Sequence, residues 1–291
     1  MKGISLYITE DTKVALRRVL IIVVFVSTLV SLSACSDGFK VNTGMLIEYT
    51  GENSEVILPD NVTSIGRQVF SKRTDITSIT IPEGVLSIGD YAFHNVGLTS
   101  ITIPDSVTSI GYRAFEDSRR LTNITIGNGL TSIGDGVFNN CISLVEINVG
   151  VDNFAYSSID GVMFDKLQSE VIQYPQGNPA TSYTIPNSVV SIGNMAFKGA
   201  SQLVSITFSE NLTSIGNYSF SGCVGLTEVV IPNSVKSVGT NAFSGCINLS
   251  SVQYDGVTYS VEKHVNNSIA NFPSVYYDLP SRFYILSNLE N

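Results

Sequence analysis

Seven times along this chain an Ile-Gly or Val-Gly dipeptide is followed, four residues after the glycine, by phenylalanine: Gly66 with Phe70, Gly89 with Phe93, Gly111 with Phe115, Gly134 with Phe138, Gly193 with Phe197, Gly216 with Phe220 and Gly239 with Phe243. Successive glycines lie 23, 22 and 23 residues apart, then 59, then 23 and 23. A fixed period of this length constrains the fold more than local propensity does. One unit is too short to enclose its own apolar side chains, whereas units stacked in register share one continuous core.

Between one phenylalanine and the next Ile-Gly runs a second recurring pattern. Leu98, Ile101, Ile103, Pro104 and Val107 match Ile76, Ile79, Ile81, Pro82 and Val85, and again Leu226, Val229, Ile231, Pro232 and Val235. The alternation in Ile101-Thr102-Ile103 reads as a short β-strand with one face in and one out. The proline after it ends pairing where its missing N–H does no harm. Within the 59-residue gap, Ile159 and Phe164 keep the Ile-to-Phe offset, so an eighth, degenerate copy is expected there. Only 14% of residues are charged and 43% are hydrophobic, with Ser, Thr, Asn, Gly, Val and Ile prominent, a β-rich composition that disfavours an all-α fold. The glycine after each Ile is expected to supply a turn conformation that a side chain would hinder.

The string L-x-x-I-x-I-P-x-x-V-x-x-I-G-x-x-A-F resembles the BspA-like (treponemal-type) leucine-rich repeat of bacterial surface proteins. The segments GMLIEYTGENSEVILPDNVTSIG and SSIDGVMFDKLQSEVIQYP are also similar to sequences common in that family. The resemblance implies a curved β-rich solenoid of about eight repeats with short parallel strands on its concave face. It also implies a role in binding proteins of a host or neighbouring cell. The expected organisation is a solenoid over residues 44–255, with an irregular insertion at 151–183 and a cap or tail at 256–291.

Ahead of the repeats, Val19 to Leu32 carries no charge and follows Lys13, Arg17 and Arg18. At fourteen residues the run falls short of the ~20 needed to span a bilayer and reads as the apolar centre of a signal peptide, residues 1–34. Leu32-Ser33-Ala34-Cys35 resembles the bacterial lipobox. That resemblance implies cleavage before Cys35, a diacylglycerol on its sulfur, and a short tether at 35–43. More than one acyl chain on one residue meets the requirement for stable membrane attachment. Cleavage removes Lys2, Lys13, Arg17 and Arg18 with Glu10 and Asp11, taking the formal charge from −9 to −11. An acidic chain with pI near 4.7 lacks the basic surface that nucleic acid requires, so no nucleic-acid partner is expected.

The chemistry-bearing residues give little sign of catalysis. Cys141, Cys223 and Cys246 each lie three residues after the phenylalanine of their repeat, a column otherwise of mostly small residues, and read as buried free thiols with no disulfide. His94 and His264 are the only histidines. No G-x-S-x-G, H-E-x-x-H, P-loop or G-x-G-x-x-G motif occurs, and Asp152, Asp160 and Asp165 are too widely spaced for an EF-hand loop. The chain is therefore expected to be no enzyme and to need no cofactor and no metal.

What remains for function is the surface. Residues between the inward positions of each strand form two outward columns. One includes Ser100, Asn123, Glu146, Ser205 and Glu228; the other includes Thr102, Thr125, Asn148, Thr207 and Gln253. They are the expected partner-binding residues for a protein ligand. A glycan-capturing role and a structural role in the envelope are the alternatives. The columns hold no Tyr, Trp or Arg, the residue types that dominate binding hot spots. Candidate anchors are therefore sought in the insertion, at Phe154, Tyr156, Phe164, Tyr174 and Tyr183, or in the tail. Adhesion from the cell surface or outer membrane, through the Cys35 lipid anchor, is the resulting expectation.

Overall fold

The computed structural model describes residues 38–260, and the signal segment, Cys35, His264 and the tail beyond 260 lie outside that range. The chain winds as a β-solenoid without a helix among the described residues. Each coil contributes one longer strand, a corner, a two-residue strand and a tight turn carrying the phenylalanine. The longer strands pair in parallel: Ser100–Ile103 with Asn123–Ile126, and Asn123–Ile126 with Glu146–Val149. The short strands pair the same way, as Ser87–Ile88 with Ser109–Ile110 and Ser109–Ile110 with Ser132–Ile133. At the corner the proline carbonyl accepts the amide of the residue three on, as Pro104 does from Val107 at 3.1 Å. The turn forms a third ladder: Phe93 N–H donates to Ala114 O and Phe115 N–H to Val137 O. Every side of the coil thus satisfies its backbone groups on its neighbours.

The repeat phenylalanines stack in register. Phe70, Phe93, Phe115 and Phe138 follow at centroid distances of 5.3, 5.0 and 5.8 Å, and Phe197, Phe220 and Phe243 at 4.8 and 5.2 Å. All seven are buried.

The glycine after each Ile is required for a reason other than the expected one. Its φ is not positive; a Cβ on Gly111 would lie 2.6 Å from the Asp90 amide nitrogen, and one on Gly239 would lie 2.4 Å from that of Asn217. Space between coils, not conformation, excludes a side chain. The left-handed residues come two places later, at Gln68, Tyr91, Arg113, Met195, Tyr218 and Asn241, with φ between 51° and 61°.

The expected eighth repeat at Ile159 and Phe164 is not a repeat. Tyr156–Ile159 and Val162–Asp165 form an antiparallel hairpin, and Val162–Asp165 pairs antiparallel with Glu170–Gln173. The strand that enters the parallel ladder is Glu170–Gln173, with Val171 beside Ile192. Tyr174, three residues on, stacks on Phe197 at 4.9 Å in place of a phenylalanine. The five-residue offset that pointed to Ile159 and Phe164 arises within a hairpin.

The same arrangement starts the chain. Phe39–Asn42 lies antiparallel to Met45–Tyr49, so the expected tether at 35–43 contributes a strand. Leu46 sits beside Ile65, and Tyr49, again three residues on, meets Phe70 at 5.3 Å. Gly66 N–H donates to Leu46 O at 2.8 Å as Gly193 N–H donates to Val171 O at 2.9 Å. The insertion is thus a second array start. The short-strand ladder stops at Ser132–Ile133 and begins anew at Glu170–Gln173, and the core divides into two clusters at Met163 and Val162. The hairpins at residues 39–49, 156–165 and 251–260 all turn through two left-handed residues, Thr43-Gly44, Asp160-Gly161 and Asp255-Gly256. That is the turn whose twist matches paired strands.

Candidate functional site

The outward columns are continuous in each half. Ser100, Asn123 and Glu146 are adjacent in one, and Thr102, Thr125 and Asn148 in the other. In the second half Ser205 and Thr207 stand beside Ser182 and Thr184, Glu228 beside Ser251, and Gln253 beside Val230. All ten named column residues are exposed or half-buried, while the residues between them, such as Ile101, Ile124 and Ile147, are buried. One position before each strand, Thr122 and Ser250 donate to the carbonyls of Thr99 and Thr227, both at 2.9 Å, tying the platform coil to coil. Carboxylates recur along it at Glu55, Glu146 and Glu228, and no basic residue lies in either column.

The cysteine column is structural. Cys141, Cys223 and Cys246 are free and fully buried, and their thiols donate to the carbonyls of Phe115, Phe197 and Phe220 at 3.1, 3.0 and 3.1 Å. Ser118, in the same column, makes the equivalent bond to Phe93 O at 2.8 Å. Burial raises all three thiol pKa values, that of Cys246 to about 12.

His94 faces Asp117 at 3.5 Å and Ser71 at 3.3 Å, and with Glu116 they form a compact polar group between coils. Both carboxylates are already paired, Glu116 with Arg113 at 3.1 Å and Asp117 with Arg119 at 3.4 Å. Asp165 accepts from the Ser169 and Glu170 amides at 2.6 and 2.8 Å, closing the loop before Glu170, and Asp160 is a hairpin turn residue.

The insertion aromatics do not form one cluster. Phe154 is 88% exposed and Phe164 fully buried. Tyr183 occupies a strand core position beside Ile206 and meets Tyr174 edge-on at 5.2 Å.

An aromatic and cationic strip lies elsewhere, on the turn edge of the first half. Arg67 sits over Tyr91 at 5.8 Å, Tyr91 meets Tyr112 edge-on at 5.6 Å, and Arg113 covers Tyr112 at 4.9 Å. These residues occupy the first and second places after the repeat glycine. Reading those two columns along the repeat would have revealed them.

At the seam between the halves the turn of the last first-half coil faces the new array start across a part-open cavity of about 130 Å³. Ile133, Phe138 and Ile172 supply apolar walls; Asp135, Tyr156 and Glu170 supply polar ones. Burial, with Asp165 and then Asp135, raises the Glu170 carboxyl pKa. Where another coil carries Asp or Asn after the repeat glycine, that side chain bonds the next coil: Asp90 accepts the Tyr112 amide at 2.8 Å, Asn194 that of Asn217 at 2.9 Å and Asn217 that of Thr240 at 2.8 Å. Asp135 holds the equivalent place, but the seam puts no such amide against it.

The description "BspA type Leucine rich repeat region" matches six copies over residues 47–169 and 174–288, and its interruption falls on the array-start strand Glu170–Gln173. Among solved structures the fold is similar to a leucine-rich repeat protein of Eubacterium ventriosum, with TM-score 0.58 and 23% identity, covering 73% of this chain and 68% of that one. It is also similar to the pneumococcal vaccine antigen PcpA, with TM-score 0.55 and 22% identity, covering 68% of this chain and 61% of that one. No curated protein matches.

Proposed function

The chain belongs to the BspA-type leucine-rich repeat family, and from that premise we propose that it is a non-enzymatic recognition protein. In this reading Cys35 tethers it by lipid to the outside of the cell envelope, and it binds a protein partner through its strand face. The observation that carries the reading is the pair of solvent-facing columns, set in register by a buried hydrophobic lattice and cross-tied by Thr122 and Ser250. A rigid face of Ser, Thr, Asn and Glu orders polar groups before a partner arrives, which lowers the entropic cost of association. Likeness in fold to a vaccine antigen fits surface display.

Protease shaving of intact cells, followed by capture from host extracellular matrix and from the bacterium's own envelope by the purified chain 36–291, tests it. Release by shaving and matrix capture weakened by Thr125→Lys and Thr207→Lys support the proposal. Protection from the protease, or capture only from the envelope, favours a scaffolding role; retention only on glycan arrays favours glycan capture.

A further inference from the structure

We propose that the seam cavity receives a basic side chain, lysine or arginine, from the protein partner. This rests on the recognition reading above and names the chemistry of one contact within it.

Three features converge. The cavity of about 130 Å³ allots ~10–15 Å³ to each water-sized group, so it exceeds the need of either side chain. The half-buried Ile133 and Ile172 suit an aliphatic stem, and Asp135 and Glu170 offer the charge for its head. Among the described residues no basic side chain lines the cavity, and the charges acting on Glu170 are both carboxylates, Asp165 and Asp135. A half-buried Glu170 carboxylate with the exposed Asp135 carboxylate beside the same cavity, and no basic side chain lining it among the described residues, favours a cation from outside. In a regular coil the Asp135 carboxylate would cap the next coil's amide, as Asp90 does. The interruption of the array frees it to face the cavity instead. An acidic chain also draws basic partners by long-range attraction, and the cavity converts that attraction into a located contact.

The test uses isotope-labelled chain 36–291 at low salt, titrated with N-acetyl-lysine methylamide, N-acetyl-arginine methylamide and the uncharged N-acetyl-norleucine methylamide. Saturable amide shifts centred on Gly134, Gly136 and Gly193 with one or both cationic probes, about tenfold weaker with norleucine, are expected. The relative strength of the two cations shows which head group the site takes. Glu170→Gln and Asp135→Asn each should weaken binding about tenfold without lowering the thermal midpoint. Unchanged affinity in both variants, or shifts spread over the acidic surface, would overturn the proposal. So would calcium ions alone producing the same saturable shifts. Matrix capture undiminished by Glu170→Gln would sink this contact and leave the recognition reading standing.

Discussion

Replacing Phe220 and Phe138 by alanine in parallel tests whether the aromatic ladder stabilises the solenoid coil by coil. Phe220 is fully buried between Phe197 at 4.8 Å and Phe243 at 5.2 Å, with Phe208 edge-on at 5.6 Å. Phe138, equally buried, touches one ring, Phe115 at 5.8 Å, because the seam takes the place of the next coil. A buried Phe→Ala costs ~3–5 kcal/mol from lost transfer energy and the cavity left behind. Each aromatic pair adds ~0.5–1.5 kcal/mol, so two further ring contacts place Phe220→Ala near the top of that range and Phe138→Ala near its bottom, about 2 kcal/mol apart. The space vacated by Phe138 also joins the existing seam cavity, which solvent can enter. The chain has no tryptophan, so urea unfolding is followed by far-ultraviolet circular dichroism. With a denaturant slope of ~2 kcal/mol/M the two midpoints separate by ~1 M. Equal losses, or a greater loss at Phe138, would refute the claim that neighbouring rings carry the difference.

Three further outcomes follow from the geometry. Unfolded thiols titrate near 9 and the buried ones well above, so stability should hold below pH 9 and then fall as pH rises, by roughly 1.4 kcal/mol per pH unit per thiol. Midpoints measured between pH 8 and 10 check this, and the triple variant Cys141→Ser, Cys223→Ser, Cys246→Ser should flatten the slope while keeping the bond that Ser118 already makes. Lys72 is left-handed with φ 65° where later coils carry Gly199, Gly222 and Gly245, so Lys72→Gly should raise stability by ~0.5–1 kcal/mol in thermal melts; a loss would contradict the strain. Glu170→Gln should stabilise the chain by a few tenths of a kcal/mol at pH 7, since the raised carboxyl pKa means that folding disfavours its charge and that acid, by neutralising it, favours the fold; a lower midpoint at pH 7 would count against this.

The repeat was legible because its period imposes the same contacts on every coil: the phenylalanine ladder, the buried cysteine column and the outward Ser and Thr columns all follow from position alone. The glycine was found for the wrong reason, because a sequence shows a missing Cβ without showing whether torsion or crowding demands it. The insertion misled for a related cause. Ile159 and Phe164 satisfy the spacing, while the strand that joins the ladder, Glu170–Gln173, keeps a three-residue spacing from Val171 to Tyr174 that only the N-terminal pair Leu46 and Tyr49 shares in the described chain. The seam cavity was invisible for a deeper reason. It exists where periodicity fails, and its carboxylates, Asp135 and Glu170, are ordinary surface residues until the two arrays meet.

A hairpin placed mid-chain has a further consequence for how such proteins change over generations. A coil in an unbroken stack inherits its template from the coil before it, so recombination must cut at whole periods to leave a foldable product. The hairpin at Tyr156–Asp165 supplies its own template. A segment bounded by two such hairpins can be copied, deleted or joined to a foreign stack as a cassette, and lineages can vary the length of such solenoids without refining a new junction each time.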